Sequence, residues 1–364
     1  MSIQANLKEI YFLLPYLKII KNKNELILSF IFNRKKHHVI FKNGLELTFK
    51  KTQFSTLLNL LKVVTYATAT SVSSRKTIEL SFDNKNKISI SLEKISPEDE
   101  RLLELLKEGV ENGANFISEN DFQIKDTTLR IIENGNRKII ETGEGIKFFL
   151  DSSTPYILIE TFIRKMHEIN SEDSWKDKIV LDVGAECGDT ALYFANKGAT
   201  VYAFEPIKAH FDAMLENIKL NPKLSDKISP VNAGIGKDEI LKFYHSDKSN
   251  IAWSASFVYN THGENARVSE IQGYSIEKAL EKFNVKHIDL LKMDCKGCEF
   301  FLTEKSLENV DTIQMQYWAN GDHTKLDNLL DILKKSNFEY IIIRQNATFT
   351  SNLESATIYG KKRK

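Results

Sequence analysis

The stretch that decides the fold runs from Lys178 to Asn221 and reads KIVLDVGAECGDTALYFANKGATVYAFEPIKAHFDAMLENIKLN. Ile179, Val180, Leu181 and Val183 form a short apolar run suited to a parallel strand buried on both faces. Asp182, Gly184 and Gly188 punctuate the turn that follows. Without a Cβ, Gly184 and Gly188 let the chain bend sharply and let a ligand approach the backbone at the N-terminus of the next helix. A second strand, Thr200 to Phe204, places Glu205 at its carboxyl end, and Pro206 stops it. An acid about 20 residues beyond a glycine turn is where nucleoside-binding α/β proteins hold the ribose hydroxyls, so Glu205 is the expected ribose residue. A dinucleotide fingerprint needs glycine at positions 184, 186 and 189, but Glu186 and Asp189 hold two of them. NAD therefore fits poorly.

Further along, Ile228 to Asn232 reads as a third strand with Asn232, Ala233 and Gly234 at its end. The strand Ile288 to Met293 delivers Asp294 to the carboxyl edge of the sheet, where ligands of doubly wound folds bind. A carboxylate there can stabilise a cation or accept a proton from a hydroxyl. It can equally cap the following turn.

DVGAECGDTALYFANKGATVYAFEP, LENIKLN and DLLKMDCKGCEFF resemble, in order, the signature segments of the FkbM-type family of S-adenosylmethionine-dependent methyltransferases. Those segments are usually close to DVGANxGD, FEP, NxxLN and KxDxEGxE, and the resemblance covers roughly residues 145 to 345. It implies a Rossmann-like, seven-stranded, mostly parallel sheet with an antiparallel last strand. The implied cofactor is S-adenosylmethionine, held by Asp182, Gly184, Ala185, Glu186, Gly188, Glu205, Pro206, Asn232 and Ala233. Asn232 lies where the family sets groups against adenine; as an ordinary strand-end residue it would do no such work. Asp294 and Glu299 are the implied catalytic positions. Two residues depart from the pattern: Glu186 replaces the usual Asn, and Lys296 replaces the usual Glu.

His323, in a loop with Asn320, Gly321 and Asp322, is a candidate general base because imidazole titrates near neutrality. It also reads as a surface histidine at a helix start. Cys295 and Cys298 form a CxxC, and Cys187 is expected on the neighbouring loop, so three thiols could converge. No fourth zinc ligand and no thioredoxin-like context accompany them, and no metal is expected.

The chain has 364 residues, 42% hydrophobic and 27% charged, which fits an ordinary globular protein of about two domains. With Lys plus Arg at 50 against Asp plus Glu at 49, the net charge of +1 gives no general attraction to nucleic acid. The closing Lys361 to Lys364 reads as a solvated tail. Pro15 and Lys18 interrupt the apolar Ile10 to Ile20, no stretch of 18 apolar residues occurs, and a cytoplasmic protein without a membrane span is expected.

Residues 1–120 read as a smaller α+β domain for acceptor selection or homodimerisation, 121–177 as a strand-containing lead-in, and 178–364 as the cofactor domain. In the first, hairpins are expected across Asn43-Gly44 and Asp83-Asn84, and helices over Phe54 to Tyr66 and from Ser96-Pro97 to Gly113. His37 and His38 are adjacent in a strand, so they point to opposite faces and share no metal. The polar run Asn112 to Asp126 is the expected boundary. Thr154 to Ile169 reads as amphipathic, and Leu241 to His245 with Ala252 to Val258 as a hairpin. The function these readings favour is O-methylation of a hydroxyl on a small molecule, sugar or lipid. The alternatives are a non-catalytic binding or scaffold protein on the same fold, and a metal or redox protein using Cys187, Cys295 and Cys298.

Overall fold

The computed structural model describes residues 3–67, 69–74, 77–81, 87–91, 97–117, 121–152, 155–168, 174–246, 266–319, 323–345 and 354–363. The chain forms two compact units, Met1–Arg164 and Lys165–Lys364.

In the first unit, strands Lys36–Ile40 and Glu46–Lys50 pair antiparallel around Gly44, whose φ of 91° only glycine adopts freely. His37 is buried, stacks on Phe30 at 3.8 Å and bonds Ser29 Oγ at 2.7 Å, while His38 on the opposite face is exposed. The helix Phe54–Tyr66 buries Leu57, Leu60, Leu61 and Val64, whereas the spacing predicts a stripe of Phe54, Leu57, Leu58 and Leu61, of which Phe54 and Leu58 are only half-buried. Strands Thr77–Ser81 and Lys87–Ser91 pair as expected; the turn at Asp83-Asn84 and the cap Ser96 lie outside the described residues. The polar run 112–126 is not a boundary between units. It carries the short strands Asn115–Phe116 and Asp121–Ile124, which join Thr127–Asn134, Arg137–Thr142 and Lys147–Phe149 in one five-stranded sheet. Phe122 and Ile124, both fully buried, supply the apolar face that composition alone concealed.

The second unit is built on a seven-stranded sheet: β1 Ile179–Val183, β2 Thr200–Phe204, β3 Ile228–Val231, β4 Ile288–Met293, β5 Val310–Ala319, β6 Phe338–Gln345 and β7 Glu354–Lys362. Their spatial order is β3-β2-β1-β4-β5-β7-β6. The first five run parallel, and β7 runs antiparallel to both neighbours. This is the Rossmann-like α/β arrangement expected from the strand–turn–helix pattern. Helices α1 Asp189–Asn196, α2 Lys208–Leu220, α3 Ile276–Phe283 and α4 His323–Lys335 follow or precede the strands. Ser275 caps α3, its Oγ accepting from Lys278 N at 3.1 Å. The central strands are buried on both faces: Val180, Leu181, Leu290, Leu291, Ile313 and Met315 are all 0–2% exposed.

Two expectations change here. Leu241 to His245 lies in strand Ile240–Ser246, but its partner is Ala266–Tyr274, so the pairing reaches farther along the chain than a hairpin; Ala252 to Val258 lies outside the described residues. The closing basic residues are not all a free tail, since Lys361 and Lys362 belong to β7 and Lys362 Nζ donates to Leu307 O at 3.0 Å. Among the described residues no helix is long and apolar enough to cross a membrane.

Candidate active site at the carboxyl edge of the sheet

The switch point between β1 and β4 gathers most of the residues singled out above. β1 ends at Val183, and the turn after it crosses the end of β2: Gly184 N and Ala185 N both donate to Phe204 O, at 2.9 and 3.0 Å. Gly184 (φ 79°) is required here for a reason other than ligand access. A Cβ on it would lie 2.1 Å from Asp294 O, so its bareness lets the β1 and β4 turns pack backbone to backbone. At Gly188 (φ 84°) the space is taken by Met214 Cγ, 2.8 Å from a built Cβ. Both glycines therefore serve internal packing.

Glu205 is 3% exposed at the end of β2. Its Oε2 accepts from Glu186 N at 2.9 Å and its Oε1 from Ile207 N at 2.8 Å, so the side chain staples the glycine turn to the end of β2. Burial pushes its carboxyl up to about 7, against the opposing pull of those two donors. A carboxylate accepts about four hydrogen bonds, so capacity remains for ribose hydroxyls. His210 on α2 lies behind it, Nδ1 3.7 Å from Glu205 Oε1. Burial and then the Lys296 ammonium depress that imidazole to about 4, so it is neutral at pH 7.

Glu186 and Lys296 both adopt left-handed backbone, at φ 44° and 50°. That conformation favours Gly and Asn, which makes Glu186 a strained choice at its position. Burial and the nearby Asp189 raise Glu186 to about 8, while Lys296 pulls it the other way. The two departures from the family pattern thus stand in one electrostatic neighbourhood, a carboxyl and an ammonium on the turns after adjacent strands.

Beneath the turns lies a buried ion pair. Asp182 is fully buried and Lys292 is 4% exposed. Lys292 Nζ lies 2.9 Å from Asp182 Oδ1 and donates to Gly184 O at 3.1 Å, while Thr190 Oγ1 on α1 donates to Asp182 Oδ2. Burial pulls the Lys292 ammonium down, but Asp182, Asp294 and Asp189 outweigh it and hold the group above the ordinary lysine range. Asp294 N donates to Val183 O at 2.9 Å, which continues the β1–β4 ladder one step beyond the strands. Its side chain lines a small cavity with Lys292, Gln314, Gln316 and Thr357.

The other expected residues make internal contacts. Asn232 spends its amide on main-chain carbonyls, Nδ2 donating to Glu205 O at 2.8 Å and Pro206 O at 3.2 Å, and so braces the end of β2. Ala233 is 1% exposed within the apolar core and Ala185 is fully buried. Glu299 is fully buried, its Oε2 accepting from Gly297 N at 2.7 Å, so it closes the turn after Asp294 from inside. His323 begins α4, and its side chain lies outside the described residues. Cys295 and Cys298 are joined as a disulfide, and Cys187 is buried as a free thiol. Cys295, Cys298 and Glu299 bring ligand atoms within 4.8 Å of one another, but sulfurs bonded to each other are not free thiolate ligands.

Several residues had no role assigned from sequence. Asn217, fully buried on α2, donates from Nδ2 to Cys187 O at 2.9 Å and receives Asn221 Nδ2 on its own carbonyl at 2.8 Å. Of the two asparagines of LENIKLN, Asn217 therefore ties α2 to the glycine turn, and Asn221 closes the end of α2. Lys292, Thr190, His210 and Gln314 were likewise unassigned; only the recurrence of Lys292 in the KxDxEGxE pattern could have pointed to one of them.

An acid-ended second strand and a glycine turn therefore meet at the topological switch point, where doubly wound α/β folds bind ligands. Residues 182–340 match the methyltransferase FkbM domain. The protein is a methyltransferase, and S-adenosylmethionine is its cofactor. No curated protein matches the chain. Among solved structures it is similar to M. jannaschii TYW2 in complex with AdoMet, at 17% identity over 65% of this chain and 91% of that one, TM-score 0.38. It is also similar to Trm5b from Pyrococcus abyssi, at 13% identity over 77% and 74% of the chains, TM-score 0.36. A third is the M. jannaschii tRNA m1G37 methyltransferase, at 15% identity over 80% and 76%, TM-score 0.35. At these scores the likenesses define neither architecture nor substrate.

Proposed function

We propose that the protein transfers the methyl group of S-adenosylmethionine to a hydroxyl on a small molecule, sugar or lipid. The observation that carries this reading is the position of Asp294. It stands at the carboxyl edge of β4, one residue beyond the ladder to β1 and beside the buried Asp182–Lys292 pair. When bound, S-adenosylmethionine supplies an electrophilic methyl on a cationic sulfur. Glu205 would hold the ribose, and Asp182, Gly184, Ala185, Glu186, Gly188, Pro206, Asn232 and Ala233 would build the wall around it. Lys292 neutralises Asp182, which leaves Asp294 as the carboxylate available to a cation or to a hydroxyl proton. Proximity and exclusion of water would supply the remaining rate enhancement. Glu299 would act by holding the turn, and His323 is kept as a candidate base on the acceptor side.

The N-terminal unit is proposed to select the acceptor, with dimerisation as its other use, in a cytoplasmic protein. One similar structure is named a tRNA m1G37 methyltransferase and another a complex with tRNALeu, so tRNA is included in the test. The test is transfer of label from methyl-labelled S-adenosylmethionine to sugars, lipids, small hydroxylated metabolites and tRNA. The expected result is labelled ether in one of the first three classes, lost in Asp294→Asn. Label in tRNA alone would overturn the small-acceptor reading.

A further inference from the structure

A polar row crosses the large sheet beside the site. Asp182 on β1, Lys292 on β4, Gln314 on β5 and Tyr359 on β7 are successive register partners. Register partners on neighbouring strands face the same side, so these four side chains form one band. Lys292 is 4% exposed, as is Gln314. The band fastens the segment Met166–His167. Gln314 Nε2 donates to Met166 O at 2.7 Å and to His167 Nδ1 at 3.0 Å, and the Tyr359 hydroxyl donates to Met166 O at 2.8 Å. One step nearer the carboxyl edge come Asp294, Gln316 and Thr357, which with His167 and Lys292 line a cavity of about 10 Å³, room for one water.

These bonds fix a tautomer. The Gln314 atom against Met166 O must be the nitrogen, because a carbonyl only accepts. The same nitrogen therefore donates to His167 Nδ1, so a neutral ring carries its proton on Nε2. Burial and then the Lys292 ammonium push the His167 pKa down to about 3, which keeps the ring neutral. Among the described residues Nε2 has no hydrogen-bond partner.

Resting on the proposed S-adenosylmethionine site, we propose that His167 and Asp294 hold the amino-acid end of the methyl donor: Asp294 takes the α-ammonium, and His167 Nε2–H donates to the α-carboxylate. Geometry and charge both lead there. Glu205 fixes the nucleoside at the end of β2, and β4 lies two strand spacings away across β1, about 10 Å, the span of a ribose plus a four-carbon chain. A zwitterionic end needs an acceptor and a donor side by side. Asp182 and Lys292 cancel each other, Asp294 matches the ammonium, and a neutral N–H donates to the carboxylate without adding a cation to repel the sulfonium. Gln314 is then a positioning residue, acting through the imidazole.

The test compares two thioether nucleosides that differ only in this tail, S-adenosylhomocysteine and 5′-methylthioadenosine, titrated calorimetrically into the full chain. His167→Phe is expected to weaken S-adenosylhomocysteine about tenfold, the loss of one hydrogen bond to a charged group, and to leave 5′-methylthioadenosine within about twofold. Gln314→Met is expected to give a smaller loss of the same tail-specific kind. Should His167→Phe fail to fold, His167→Gln keeps an N–H donor and is expected to retain tail preference that His167→Leu loses. Equal loss for both ligands, or loss for neither, overturns the proposal while leaving the cofactor assignment standing. Wild-type protein that binds neither nucleoside overturns the cofactor reading itself, and this subsite with it.

Discussion

Replacing Lys292 by methionine tests whether the buried pair holds the glycine turn. The ammonium is 2.9 Å from Asp182 Oδ1 and 3.1 Å from Gly184 O, with both side chains at 0–5% exposure. Removing one member of such a pair strands the other charge in the interior and costs about 3–5 kcal/mol. Thr190 Oγ1 still donates to Asp182, which places the expected cost near the lower bound, about 3 kcal/mol. The double variant Asp182→Leu/Lys292→Met replaces the pair by apolar groups and is expected to be at least about 2 kcal/mol less destabilised than the two single changes summed. The assay is equilibrium denaturation followed by tryptophan fluorescence. Trp175, Trp253 and Trp318, the only three in the chain, all lie in Lys165–Lys364, so the signal reports this unit. A single-variant cost under about 1 kcal/mol, or simple additivity in the double, would refute the reasoning.

Three other outcomes follow from the same geometry. Gly184→Ala drives a Cβ to 2.1 Å from Asp294 O at φ 79° and is expected to cost more than about 3 kcal/mol, whereas Gly188→Ala, strained at φ 84°, clashes only with the flexible Met214 side chain and is expected to cost less. Equal thermal shifts for the two variants would contradict this. Asn217→Leu leaves Cys187 O without its buried donor and is expected to cost about 1–3 kcal/mol in the same denaturation assay; no shift in the midpoint would count against that role. Glu186 and Glu205 are raised from 4.5 to about 8 and about 7, mainly by burial. The folded protein then keeps protons that the unfolded chain has lost, so their stabilising share is complete below about pH 4.5 and disappears as pH rises through about 7 to 8. Thermal stability of the ligand-free protein should fall across that window, with a shallower fall in Glu186→Gln; an unchanged slope in the variant would exclude Glu186 as the source.

The central fold was legible because its signals are local. The Ile179 to Val183 run, the glycine turn and the acid ending β2 all fall within one short stretch, and parallel strands buried on both faces leave continuous apolar runs. The partner of Ile240–Ser246 was not legible, since pairing with Ala266–Tyr274 depends on chain far from any tight turn. Likewise, the band Asp182–Lys292–Gln314–Tyr359 exists only through register across four strands, and no periodicity announces it. His167 sits in a segment legible only as amphipathic, yet the band gives it a fixed tautomer. The glycines stand out in the sequence as special positions, but what fills their missing Cβ is Asp294 and Met214, which sequence spacing does not reveal. The polar run 112–126 misled because alternate residues, Phe122 and Ile124, carry the burial inside an otherwise hydrophilic composition.

Calorimetric titration of the full chain with S-adenosylmethionine, alongside NAD and with Glu205→Ala as comparison, bears most directly on the cofactor site. Saturable binding of S-adenosylmethionine alone, weakened at least about tenfold in Glu205→Ala, is the expected result. Well-folded protein that binds NAD, or that binds no S-adenosylmethionine, would contradict it.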